Sequence, residues 1–168
     1  MAESLKIFTD GGCSGNPGPG GWAYVIVGNR EPEADEHHII AEKWGAERQT
    51  TNNRMELMAV IESLKAVKTM PSVREQVTIY TDSQYTRKGI TEWIRNWKRN
   101  NWRTSNKKPV KNQDLWMVLD ALAGEFTLKW EWVPGHAGVE YNERCDQMTQ
   151  TAIASIRGRP PHLADICE

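Results

Sequence analysis

KIFTDGGCSGNPGPGG, Lys6 to Gly21, followed directly by WAYVIVG, Trp22 to Gly28, decides the fold. The first stretch holds six of the chain's thirteen glycines behind a short apolar run that ends on Asp10. A Gly-rich loop after a strand suggests a phosphate-binding turn, and Gly18, Gly20 and Ala23 satisfy a loose G-x-G-x-x-A spacing. That motif requires a helix next. The residues from Trp22 to Val27 are instead aromatic and β-branched, which is strand composition. Pro17 and Pro19 lack the backbone N–H groups that a helix N-terminus would present. The glycines therefore predict a β-hairpin turn, with Asp10 at the end of the strand before it.

On the N-terminal side of the turn, Leu5, Ile7 and Thr9 alternate with Lys6, Phe8 and Asp10 at strand period. Trp22 to Gly28 reads as a second strand and His37 to Trp44 as a third, giving an antiparallel meander. The period then changes. Leu57, Ile61 and Leu64 recur at helical spacing behind the capping residues Thr50 to Asn53, and Pro71 ends that helix. Val77 to Ser83 reads as a buried strand. Short helical pieces come next from Gln84 to Lys98, then a basic loop, an amphipathic helix from Gln113 to Ala123, a fifth strand from Thr127 to Val133, the loop PGHAG, and a closing helix from Asn142 to Arg157. A meander followed by βαβ units predicts an α/β fold with one mixed sheet and helices on its faces. Residues 1–157 are expected to form a single domain, with 158–168 a loosely held tail.

At 168 residues the chain suits one domain with a full core. No apolar run approaches the ~20 residues of a membrane span, and the start MAESLKIFTD has no secretory pattern. A cytoplasmic monomer with no membrane association is expected. Cys13, Cys145 and Cys167 are odd in number and lack CxxC spacing, which predicts reduced thiols rather than a disulfide framework or zinc site. The net charge of −1 conceals an uneven distribution. Arg95 to Lys111 carries seven basic residues and no acid, whereas Glu31 to Glu47 carries six acids and the single base Lys43.

Four acids each have a dull explanation: Asp10 as a turn residue, Glu56 as a capping-box partner of Asn53, Asp82 as an N-cap, and Asp146 as a first-turn acid. Their joint placement favours another. A right-handed crossover sets the first and fourth strands side by side, with Asp10 and Asp82 at the carboxyl edge where open sheets bind ligands. Glu56 and Asp146 flank the buried faces of their helices. Carboxylates converging there would repel one another without a cation among them. An all-oxygen set suits a hard ion such as Mg²⁺, and two such ions suit in-line displacement at phosphate.

The segments FTDGGCSGNPGPGGWA, TTNNRMELMAVIE, YTDSQYTRKGI, WIRNWKRNNWRTSNKKPVKNQDLW and WEWVPGHAGVEYNERCDQM, in that order over Lys6 to Thr151, resemble the bacterial type 1 ribonucleases H. The resemblance implies the ribonuclease H-like fold, a five-stranded mixed sheet of order 3-2-1-4-5 with helices on both faces. It also implies endonucleolytic hydrolysis of the RNA strand of an RNA/DNA hybrid with two Mg²⁺ ions, or Mn²⁺ as a substitute, leaving 5′-phosphate and 3′-hydroxyl ends. By the same resemblance Asp10, Glu56, Asp82 and Asp146 are metal-binding carboxylates and His136 a catalytic loop histidine. Asn16, Asn53 and Gln84 would contact RNA near the cut, with backbone groups at Gly11 and Cys13. Thr51 and Asn16 would grip a DNA phosphate, and Trp93 and Asn112 would lie on the DNA channel. The chain departs from the family pattern in its longer, more acidic segment near Glu31 to Glu47 and in Gln147, where an acid often follows the catalytic aspartate.

The basic segment supports a polyanionic substrate independently: Lys98, Arg99, Lys107 and Lys108 can meet phosphates. Of the interleaved rings Trp93, Trp97 and Trp102, most are expected to pack on the core, leaving Trp93 to contact substrate. Two other functions fit parts of the pattern. A non-catalytic hybrid binder gains nothing from clustered negative charge, and a junction resolvase or transposase core has no use for residues suited to 2′-hydroxyls.

Overall fold

The computed structural model describes residues 3–29, 38–70, 74–133 and 140–157. Five strands form one sheet: β1 (Glu3–Cys13), β2 (Gly18–Asn29), β3 (His38–Thr50), β4 (Arg74–Thr81) and β5 (Leu128–Trp132), in order β3-β2-β1-β4-β5. β1 to β3 are antiparallel, and β4 and β5 run parallel to β1. The helices are α1 (Asn52–Lys68), α2 (Gln84–Lys88), α3 (Ile94–Arg99), α4 (Gln113–Ala123) and α5 (Glu140–Ile156), with a π-helical turn over Gly89–Trp93. The expected sheet order holds.

Strand alternation divides the core in two. Leu5, Ile7, Trp22, Tyr24 and Ile26 pack with Leu57, Val60, Ile61 and Leu64 of α1 and with Trp116 of α4. The intervening Phe8, Val25 and Val27 pack with Cys145 of α5. Because side chains on a strand alternate in direction, the two sets mark opposite faces of the sheet, one covered by α1 and one by α5.

Several boundaries differ from the sequence reading. β1 continues past Asp10 to Cys13, and β2 starts at Gly18 rather than Trp22, so most of the glycines lie in paired strands. The reason is crowding at Gly11. A Cβ there would sit 2.4 Å from the Met55 carbonyl carbon and 2.5 Å from the Glu56 nitrogen. Glycine lets the start of α1 rest directly on the strand, and the composition that reads as a turn is a docking surface. β3 likewise runs on to Thr50. α1 ends at Lys68 with Thr69 as its C-cap, two residues before Pro71, and Pro71 itself and the tail at 158–168 lie outside the described residues.

The basic segment is a compact handle. Trp102 N–H donates to the Trp97 carbonyl at 2.6 Å, Thr104 N–H to the Lys108 carbonyl at 2.7 Å, and Val110 N–H to the Trp102 carbonyl at 3.0 Å. Trp97 anchors it, with its ring 5.3 Å from Trp116 and 6.3 Å from Trp102. As expected, these rings pack on the core.

Candidate active site

The site is created where two parallel strands part. β1 and β4 pair from Glu3↔Arg74 to Phe8↔Tyr80, and two residues further along the chain from each of the last pair are Asp10, still in β1, and Asp82, just past the end of β4. Beyond that point β1 keeps its ladder with β2 while the chain leaves β4 for α2. A gap thus opens at the carboxyl ends of the central strands, where open α/β sheets bind ligands.

α1 supplies the third acid. Its N-cap is Thr51, whose hydroxyl accepts from Arg54 N–H at 3.3 Å, and Glu56 lies one turn further in. Glu56 is buried, and Gly11 N–H donates to its carboxylate. Ligand oxygens of Asp10, Glu56 and Asp82 all lie within 4.8 Å of one another. Burial, then the charges of Asp10 and Asp82, push the Glu56 carboxyl well above its ordinary range. Its Oε2 is buried without a hydrogen-bond partner among the described residues. A buried carboxylate with an unpartnered oxygen, set within a carboxylate cluster, fits a hard cation, which would offset the repulsion.

Asp146 lies outside that tight cluster but lines the same groove, an open cleft of about 420 Å³. Gly11, Gly12, Cys13, Ser14, Asn52, Gln150, Ile153 and Arg157 complete the lining. Asn142 meets Asp10 and Asp82 in a smaller niche beside Thr9.

The dull explanations of the four acids fail. Asp10 is paired opposite Ala23 inside the β1–β2 ladder, so it is not a turn residue. Thr51 rather than Asn53 caps α1, which leaves Glu56 outside any capping box. Ser83 caps α2 by accepting from Thr86 N–H at 3.1 Å, so Asp82 is not a cap. α5 begins at Glu140, which places Asp146 beyond the first turn.

The remaining predicted residues fall in three groups. Asn16 is exposed and its Oδ1 accepts from Asn52 N–H at 3.2 Å, tying the β1–β2 turn to the start of α1, where Thr51 and the half-buried Asn53 lie. Gln84 is the exposed first residue of α2, two residues after Asp82. Cys13, in the groove, donates its thiol to the Gly18 and Thr50 carbonyls, both at 3.3 Å, and burial raises its pKa.

A second group gathers around Tyr85. Its hydroxyl accepts from Trp116 Nε1 at 2.9 Å and from Asn112 Nδ2 at 3.1 Å, while Trp93 stands edge-on to its ring at 5.7 Å. Asn112 in turn accepts from Arg54, whose guanidinium forms a paired contact with Asp114 at 3.0 and 2.8 Å. Sequence reasoning missed Tyr85, Arg54 and Asp114 as the frame holding Asn112.

Lys98, Arg99, Lys107 and Lys108 form the third group, all exposed on the handle and none lining the groove. Lys98 pairs with Asp120 at 3.3 Å. His136 lies outside the described residues.

Comparison with known proteins shows the family to which the chain belongs. The RNase H family model matches residues 2–154. The chain is 52% identical over 157 residues to ribonuclease H of Bordetella bronchiseptica, covering 94% of each chain. It is 48% identical over 158 residues to ribonuclease HI of Pseudomonas syringae pv. tomato, covering 94% of this chain and 97% of the relative. Among solved structures, LC9-RNase H1, a type 1 RNase H with the type 2 active-site motif, superposes with a TM-score of 0.81 at 31% identity, over 92% of this chain and 74% of that one. With its sequence and its fold both matching, the chain belongs to the ribonuclease H family of endoribonucleases.

Proposed function

We propose that the chain hydrolyses the RNA strand of RNA/DNA hybrids endonucleolytically, by a two-metal-ion mechanism that leaves 5′-phosphate and 3′-hydroxyl ends. The observation that carries this reading is the convergence of Asp10, Glu56 and Asp82 at the β1–β4 parting, with a buried oxygen on Glu56 that has no partner among the described residues. Asp10, Glu56, Asp82 and Asp146 would hold two Mg²⁺ ions, or Mn²⁺ in their place. When bound, such ions activate water and stabilise the leaving oxygen of an in-line displacement. The chain's own residues do the rest. Burial of Glu56 against Gly11 fixes one wall of the site, and Asp146 presents a carboxylate from the other.

His136, four residues before α5 in the sequence, assists proton exchange with the attacking water or leaving 3′-oxygen, imidazole being able to do so near neutral pH. Asn16, Asn53, Gln84 and the backbone at Gly11 and Cys13 meet the RNA strand, where 2′-hydroxyls distinguish RNA from DNA. Thr51 and Asn16 receive a DNA phosphate, and Trp93 and Asn112 line the DNA channel. Lys98, Arg99, Lys107 and Lys108 add sequence-independent phosphate attraction. We place the enzyme in the cytoplasm as a monomer, with residues 1–157 as its single domain and 158–168 as a tail. Among the described residues no helix is long and apolar enough to cross a membrane.

The test compares an RNA/DNA hybrid, duplex RNA and duplex DNA of one sequence, with and without Mg²⁺, and maps the ends formed. Metal-dependent internal cuts confined to the RNA of the hybrid are expected. Equal cutting of duplex DNA would return the site to a general nuclease, and binding without cutting to a hybrid-binding module.

A further inference from the structure

The groove that holds the carboxylates extends beyond them. Asp146, Gln150, Ile153 and Arg157 lie on one face at helical spacing, and all four line it. α5 advances in the same sense as β1, because the Cys145 thiol donates to the Phe8 carbonyl while Thr149 and Ile153 lie beside Gly12. The two walls therefore run together, from Asp10 and Asp146 towards Ser14 and Arg157. Three turns of helix separate Asp146 from Arg157, about 16 Å at the usual rise.

Charge reverses over that distance. Four carboxylates occupy one end, Ser14, Asn52 and Gln150 offer neutral polar groups along the way, and Arg157 is the one cation among the described residues lining the groove. A polyanion lying there places one phosphate over the carboxylates and others further along, towards Gln150 and Arg157. We propose that Arg157, assisted by Gln150, forms a phosphate subsite for the strand being cut, more than one nucleotide from the scissile linkage. This rests on the hybrid-nuclease reading above. A guanidinium suits the position because it is always charged and can meet two phosphate oxygens at once.

The competing role for Arg157 is structural, since a cation just past the end of α5 complements the helix dipole. That role affects melting temperature and leaves substrate affinity alone. The experiment compares full-length wild-type, Arg157→Gln and Arg157→Lys enzymes on one hybrid. It measures steady-state constants with Mg²⁺, affinity in Ca²⁺ over a salt series, and melting temperature. Arg157→Gln is expected to raise KM and Kd about three- to tenfold at low salt and to flatten log Kd against log salt by about one unit. Saturated kcat stays within about twofold, and Arg157→Lys keeps the slope. Single neutral methylphosphonates along the RNA strand should weaken wild-type binding at one linkage away from the cut, where Arg157→Gln is indifferent. Unchanged affinity and slope, an effect confined to melting temperature, or equal sensitivity of both enzymes at every linkage overturns the subsite while hybrid cleavage stands. A wild-type enzyme that leaves hybrid RNA uncut overturns the nuclease reading and the subsite with it.

Discussion

Glu56 concentrates the electrostatic problem of the site in one residue. Its carboxyl is buried, faces the charges of Asp10 and Asp82, and takes up a proton far more readily than its ordinary value of 4.5 implies. Below that value both folded and unfolded chains hold the proton, and Glu56 costs nothing. As pH rises from there towards the folded pKa, the unfolded chain ionises first, so the metal-free protein loses stability. Glu56→Gln has no charge to bury. In EDTA its melting temperature should match the wild type near pH 4 and exceed it increasingly as pH rises above that, with Mg²⁺ narrowing the gap by stabilising the wild type. A difference that stays flat with pH would refute the assignment. Asp10→Asn and Asp82→Asn relieve the same repulsion and should abolish hybrid cleavage with the fold intact by circular dichroism. Substantial Mg²⁺-dependent cutting by either would sink the two-ion proposal. His136→Ala, by contrast, should lower kcat by roughly 10², within the usual span for acid–base assistance, and leave Ca²⁺-supported binding unchanged. A wild-type kcat would refute that role.

Among the elements, the contact between β1 and α1 decides whether the site assembles. A Cβ on Gly11 would meet backbone atoms that cannot rotate away, so Gly11→Ala should destabilise by about 3 kcal/mol. It should also shift Glu56 and depress kcat more than KM, which thermal melts and steady-state kinetics would check. Wild-type stability would mean that the helix slides at no cost. This contact also shows what the sequence can and cannot convey. Helical spacing from Leu57 to Leu64 and alternation in Leu5 to Asp10 disclose the elements, and the parallel crossover brings Asp10 beside Asp82. Glycines around Asp10 read as a turn because composition records conformational freedom, not which helix comes to rest on the backbone. Asp146 is visible in the sequence as one acid, whereas the groove face it shares with Gln150 and Arg157 emerges only once α5 is seen to run along β1. The Arg54–Asp114 pairing and its link through Asn112 to Tyr85 join residues far apart in sequence, for which no local pattern exists.

Across the whole molecule, charge is sorted: carboxylates gather at the parting of β1 and β4, and cations on the handle from α3 onward. A substrate that spans both must be a polyanion with length to spare. The handle does not hold its cations equally ready, however. Lys98 pairs with Asp120, so its release to a phosphate exchanges one partner for another and displaces little counterion. Arg99, Lys107 and Lys108 are exposed, and Lys107 lies where the backbone turns left-handed at φ 63°, on the outside of the hairpin closed by Thr104 and Lys108. Replacing these three with Gln should raise the hybrid Kd and flatten its logarithmic salt dependence by up to about one unit per contact. Saturated kcat should change far less, since none of the three lines the groove. Adding Lys98→Gln to the triple variant should shift the slope by only a fraction of a unit. Titrations of a fixed hybrid in Ca²⁺ between low and moderate salt distinguish the alternatives: an unchanged slope in the triple variant would make the handle a merely solvated surface, and a full further unit on losing Lys98 would show that Asp120 yields it freely.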